Sequence, residues 1–103
     1  MAKEAVCSVA EVKASRQEKT LSNGDEVLAL AYEGKIYVID ALCPHQYAPL
    51  YDGEVSKGVI ECPFHGWRFD LKTGADPENP FLCLRAWPIS IEDGQVWVEV
   101  SSK

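Results

Sequence analysis

Cys43-Pro44-His45-Gln46 and Cys62-Pro63-Phe64-His65-Gly66 are the two segments on which the reading of this sequence turns. Together they hold both histidines of the 103-residue chain and two of its four cysteines. One cysteine and histidine lie two residues apart, the other pair three apart, and sixteen residues separate His45 from Cys62. Such a set offers two thiolates and two imidazoles to one metal centre. The plain alternative is two core thiols and two unrelated histidines, but Cys–His pairs at ligand spacing seldom coincide by chance. Structural zinc accepts the same four donors, yet it usually draws them from C-x2–4-C and H-x3–5-H knuckles, which these mixed pairs fit poorly.

Outward from the two segments the chain is punctuated like a β protein. Ala5–Cys7 reads as a short strand, and Ser8 and Glu11 have the spacing of a capping box for one brief helical turn. Strands are expected at Arg16–Leu21 and Glu26–Tyr32, joined through Ser22-Asn23-Gly24-Asp25, whose Asn-Gly favours the positive φ angles of a tight hairpin. Glu33-Gly34 turns into Lys35–Asp40. Further strands are expected at Val59–Cys62, Trp67–Leu71, Leu82–Trp87, Ile89–Glu92 and, through Asp93-Gly94, Gln95–Val100. No segment sustains a 3.6-residue period, so the fold class is all-β, an antiparallel sandwich or barrel. Prolines at 44, 49, 63, 77 and 80 mark residues 41–80 as a loop-rich subdomain inserted into a single domain spanning 1–103.

A chain of this length supports one core, to which a bound metal centre would add much of the stability, so the apo-protein is expected to be loosely folded. The net charge of −6 and pI near 4.8 argue against nucleic acid, whose phosphates demand a basic face, and point to an electropositive protein partner. Residues 41–83 carry −3 and the remainder −3, so the sequence shows no charge dipole. There is no apolar stretch fit for a signal peptide or membrane span, and a cytoplasmic location is expected. Cys7 and Cys83 read as buried thiols of a reducing compartment rather than a disulfide. Trp87 and Trp97 are expected in the core, and Gly53, Gly58 and Gly74 as ordinary turn residues.

The pattern C-x-H, sixteen residues, C-x-x-H resembles the Rieske [2Fe-2S] motif, over nearly the whole chain. The resemblance implies that Cys43 and Cys62 ligate an inner iron, and His45 and His65 an outer iron nearer solvent. Two neutral imidazoles in place of two thiolates bring the oxidised centre from −2 to zero. Its potential thereby rises from about −400 mV to roughly −150 to +300 mV. High-potential relatives add a loop disulfide and hydroxyl donors. Ala48, Phe64, Trp67 and Phe69 stand at those positions, so a centre near the bottom of the range is expected. Pro44 and Pro63 stiffen the loops, and Gly66 allows close backbone approach. Tyr47, Ala48, Pro49, Leu50, Pro63, Phe64 and Trp67 would form an apolar collar, for shielding or for docking.

The resemblance further implies a ferredoxin, not an enzyme by itself, passing single electrons from an NAD(P)H-dependent flavoprotein reductase to a terminal oxygenase of aromatic hydrocarbon catabolism. Cys43-Pro44-His45-Gln46, Asn79-Pro80, Cys83-Leu84 and Trp87-Pro88 are similar to ferredoxins of toluene-type di-iron monooxygenases. Cys62-Pro63-Phe64-His65-Gly66 is closer to those of ring-hydroxylating dioxygenases. A non-catalytic subunit resembling the small component of assimilatory nitrite reductase is a second class, and a redox or iron sensor a third.

Overall fold

Val27, Leu28, Ala29 and Leu30 are consecutive and all essentially inaccessible to water. Neighbouring strand residues point to opposite faces, so four buried in a row require both faces of their sheet to be covered. The computed structural model describes residues 2–42, 50–62, 68–76 and 84–100 and shows what covers them.

Nine strands and one short helix are present among the described residues: β1 (Ala2–Ser8), α1 (Val9–Ala14), β2 (Gln17–Thr20), β3 (Glu26–Tyr32), β4 (Lys35–Asp40), β5 (Glu54–Ser56), β6 (Val59–Glu61), β7 (Arg68–Asp70), β8 (Ile89–Glu92) and β9 (Gln95–Val100). They form three antiparallel sheets of orders β1-β9-β8, β2-β3-β4 and β5-β6-β7. The β2-β3-β4 sheet belongs to two cores. Val27, Ala29 and Val38 join Val6, Cys7, Val12, Trp87, Val96, Val98 and Val100 of the first sheet and its flanks. Leu28, Leu30 and Ile39 join Leu50, Ile60, Cys62, Phe69, Leu71 and Leu84 around the third sheet. The all-β fold expected from the sequence is therefore observed, with the third sheet built wholly from residues between β4 and β8.

Three hairpins turn on two residues with positive φ: Glu33-Gly34 (50° and 80°), Lys57-Gly58 (54° and 77°) and Asp93-Gly94 (52° and 74°). This is the primed turn that matches strand twist. The Asn23-Gly24 hairpin differs from its expected form. Only Gly24 is left-handed, at φ 93°. Leu21 N–H donates to Asp25 O at 2.7 Å, while Asn23 Oδ1 accepts from Asp25 N at 3.0 Å. The asparagine uses its side chain to make the turn, so its backbone need not become left-handed.

The single helical turn becomes a six-residue helix. Its capping box is complete, with Ser8 Oγ accepting from Glu11 N at 3.0 Å and Glu11 Oε1 from Ser8 N at 2.9 Å. β5 has no counterpart among the strands expected from the sequence. Its partner β6 was expected, and pairing with β6 supplies the order that three residues lack alone. Of the strand expected at Leu82–Trp87, residues 82–83 lie outside the described part, and 84–87 make one bridge, Ala86 with Ile39. Trp87 is core, its Nε1–H donating to Asp40 Oδ1 at 2.9 Å. Trp97 is not: it points away from Val96 and Val98, half-buried, with no acceptor for its indole N–H among the described residues.

Candidate functional site

Of the four sequence-predicted ligands, Cys62 is described; Cys43, His45 and His65 lie outside the described residues, as do Pro44, Pro63, Gly66 and the collar residues other than Leu50. The structure therefore gives the bases of the two ligand segments.

Cys62 directly follows β6 and is fully buried among Leu28, Ile39, Leu50, Ile60, Phe69 and Leu71. The chain re-enters the fold at Arg68, paired with Glu61, so residues 62–67 connect the β6–β7 hairpin. The first segment is closed in a similar way. Leu50 N–H donates to Ala41 O at 2.9 Å, bringing the two ends of residues 42–49 together.

Gly53 joins these bases. A Cβ there would stand 2.5 Å from Glu61 O and 3.1 Å from Leu50 O, the carbonyls just before the second segment and just after the first. Only glycine allows this approach, which corrects the reading of Gly53 as an ordinary turn residue. Gly74 needs the same correction. With φ +79°, its missing Cβ would collide with the backbone of Leu84, whose N–H donates to Gly74 O at 2.6 Å. Gly58 does sit in an open turn, with nothing near its Cβ position.

Sequence reasoning missed Arg16. Its Nη1 donates to both Tyr51 O and Gly53 O at 2.6 Å, fastening the turn after the first segment to the start of β2. No local pattern marks an arginine that acts 35 and 37 residues away. Asp40 braces the other side. Its Oδ2 accepts from Arg85 N at 2.9 Å, and the Arg85 guanidinium stacks 4.5 Å from the Trp87 ring centre.

The donor chemistry fits an iron–sulfur centre. The Cys62 thiol stands at the end of β6 on an apolar floor that also holds Ala41 and Leu50, the two bases of the other segment, and no buried polar or charged side chain lies among the described residues to compete for it. Phe69 belongs to that floor and presents no hydroxyl.

The profile of the Rieske [2Fe-2S] domain matches residues 2–88. The chain belongs to this family. Its cofactor is accordingly a Rieske-type [2Fe-2S] cluster. The ferredoxin component of the naphthalene 1,2-dioxygenase/salicylate 5-hydroxylase systems of Ralstonia sp. is 37% identical over 79 residues, 76% of each chain. The ferredoxin component of the alkene monooxygenase system of Xanthobacter autotrophicus is 34% identical over 74 residues, 71% of this chain and 61% of that one. Among solved structures, the Sphingomonas yanoikuyae B1 ferredoxin superposes with a TM-score of 0.81 at 33% identity, covering 97% of this chain and all of its own. These three relatives are named as ferredoxins, two of them as components of oxygenase systems, electron carriers rather than catalysts. Among the described residues, no helix is long and apolar enough to cross a membrane.

Proposed function

We propose that this chain is a one-electron carrier, taking electrons from an NAD(P)H-dependent flavoprotein reductase and delivering them to a terminal oxygenase. The observation that carries this reading is the buried Cys62 thiol at the base of a connection whose partner segment is closed beside it, in a chain related to oxygenase-system ferredoxins. In this reading residues 41–80 form the cluster-binding subdomain. Cys43 and Cys62 hold the inner iron, and His45 and His65 the outer one. When bound, the cluster supplies a single reversible redox equivalent. The protein's part is to keep the thiolate side in an apolar setting and to hold the two connections at fixed separation through Gly53 and Arg16. An unbridged, buried Cys7 agrees with a cytoplasmic location.

The potential in this reading lies near the bottom of the family's range. Hydrogen bonds to the sulfurs stabilise the more negative reduced state, and Phe69 supplies none from the centre of the floor. A midpoint above roughly +100 mV, in the upper part of that range, contradicts this assignment. Ferredoxin components of a dioxygenase system and of an alkene monooxygenase system both stand among the relatives. The small-subunit alternative is disfavoured because all four ligand residues are present in this sequence.

The decisive experiment combines anaerobic reconstitution with partner kinetics. The wild type should turn red-brown, bind two irons and two sulfides per chain by the definition of the cluster, be reduced through a flavoprotein reductase and be reoxidised by an oxygenase component. Cys62→Ala should stay colourless. A wild type that binds the cluster but exchanges electrons with no reductase–oxygenase pair removes the carrier assignment and leaves the cofactor intact.

A further inference from the structure

β4 is one of the two edge strands of the β2-β3-β4 sheet. Tyr32 and Lys35 close its two-residue hairpin with β3, so alternation along the pair turns the backbone groups of Ile36, Val38 and Asp40 outward. Two of these three positions are engaged. Asp40 N–H donates to Arg85 O at 3.1 Å, and Val38 O accepts from Trp87 N at 2.8 Å. Arg85–Trp87 thus covers the upper part of the edge and stops. Among the described residues nothing pairs with the outward N–H and C=O of Ile36.

A groove lies on each side of this open stretch, and both reach Lys35 and Tyr37. On the first-core side, Val9, Ile36, Ile89 and Ile91 line an apolar cleft of about 420 Å³, with Lys13 at its rim. Ile91 is 53% exposed, one of two large hydrophobic residues left exposed among those described. On the second-core side, Lys35, Lys57 and Lys72 surround a cavity of about 240 Å³ with Tyr32 and Tyr37. Its acids are Glu33 and Asp70, and Asp70 Oδ1 already accepts from Lys72 N at 2.7 Å and Thr73 N at 3.3 Å. Three lysines against two carboxylates leave this cavity formally positive in a chain of net −6. The fold has made a charge asymmetry that the sequence does not display.

We propose that β4 at Lys35–Tyr37 accepts an extended segment of an acidic partner protein as an added strand. Its apolar side chains enter the isoleucine cleft and its alternate carboxylates face the lysine cavity. Strand addition draws affinity from main-chain bonds and specificity from pockets for alternate side chains, and the two grooves here differ in the way that alternation demands. A second copy of this chain is the wrong occupant, because pairing β4 with itself sets lysine cavity against lysine cavity. The surface lies at the strand ends opposite the proposed ligand segments. β4, β6 and β7 each have one end at a ligand segment and the other at Lys35, Lys57-Gly58 or Lys72, and β4 alone spans about 20 Å. The proposal therefore goes beyond the carrier role and does not rest on it.

The test titrates holoprotein with a fluorescein-labelled peptide alternating glutamate and valine, and with a peptide of equal composition carrying the two residues in separate blocks. Saturable binding of the alternating peptide, with slowed exchange of the Ile36 amide, is expected. Lys57→Glu combined with Lys72→Glu should weaken it by about tenfold or more, with the visible spectrum of the cluster unchanged. Ile36→Pro, which removes the outward donor at an edge where proline is tolerated, should abolish it. Because the exchange measurement uses the native chain, a misfolded proline variant leaves the proposal testable. Equal binding of the block peptide, unchanged exchange at Ile36, no saturation at millimolar peptide, or a dimer that forms through this edge would each overturn it.

Discussion

Two buried cysteines sit in two cores and meet different fates. Cys7 lies in β1, at the irregularity in its pairing with β9, surrounded by the aliphatic first core. Burial, aided by Glu11, pushes its thiol above the usual range, so it stays protonated and inert. Cys62 is also buried, but it stands one residue past the end of β6, where the proposed second ligand segment begins. In the proposed assignment, position just past a strand end, more than burial, separates a packing thiol from one offered to iron. The cores differ accordingly. The first is bounded by strands of four to seven residues, the third sheet by strands of three. Such short strands cannot persist alone and depend on the shared floor and the bound cluster.

The strongest way to break this contrast is to remove the iron. After anaerobic chelation, amides of β5–β7 should exchange faster by ~100-fold or more, while those of β1, β3 and β9 keep their protection. Measured by hydrogen exchange, a uniform loss across all three sheets would show that the two cores are one cooperative unit. Next comes Gly74→Ala, which forces a Cβ into the Leu84 backbone at a left-handed φ and should cost about 2–4 kcal/mol in urea unfolding. Gly34→Ala has a similar φ of +80° but open space around it, and should cost only about 1–2 kcal/mol. If the two substitutions cost the same, close approach at Gly74 is not what holds the third sheet to its exit. A smaller effect is expected from Arg16→Ala. Losing two bonds to backbone carbonyls on the cluster side should cost about 1–2 kcal/mol and speed iron release, with exchange in β1 and β9 unaltered.

The same contrast explains what could be read in advance. Hairpins closed by Glu33-Gly34 and Asp93-Gly94, the capping box, and the alternation of Val96, Val98 and Val100 are local, and each appears where the sequence places it. The ligand motif was legible for a related reason, since its chemistry is written in two short segments. What was hidden acts over distance. Gly53 looks like any turn glycine until Leu50 and Glu61 are brought against it, and Arg16 like any surface arginine until the Tyr51–Gly53 turn arrives. β5 has too few residues to show a period, and Trp97 alternates in register with neither core. The four consecutive buried residues of β3 are claimed alternately by two different cores, which nothing local in the sequence marks.

The smallest expected effect concerns acid and the first core alone. Glu11 closes the α1 capping box, and hydrogen bonds from Ser8 hold its carboxyl below its ordinary value of 4.5. A depressed folded-state value means that the stabilisation is complete above 4.5 and disappears as pH falls through the lower folded value. Glu92 is also lowered, first by its hydrogen bond from Lys3 and then by that ammonium's charge. The two carboxylates are on the surface, and salt distinguishes them. Screening should weaken the Lys3–Glu92 contribution while leaving the short-range cap largely intact. Exchange of the Val12 amide, followed down through pH 4.5 at low and high salt, should respond to Glu11→Ala, which removes the acceptor of the Ser8 N–H bond, equally in both. Exchange in β8 should respond to Glu92→Gln at low salt only. If the Glu11 effect also vanished in salt, the helix that roofs the first core would owe its start to charge near its N-terminus and not to the two reciprocal bonds with Ser8.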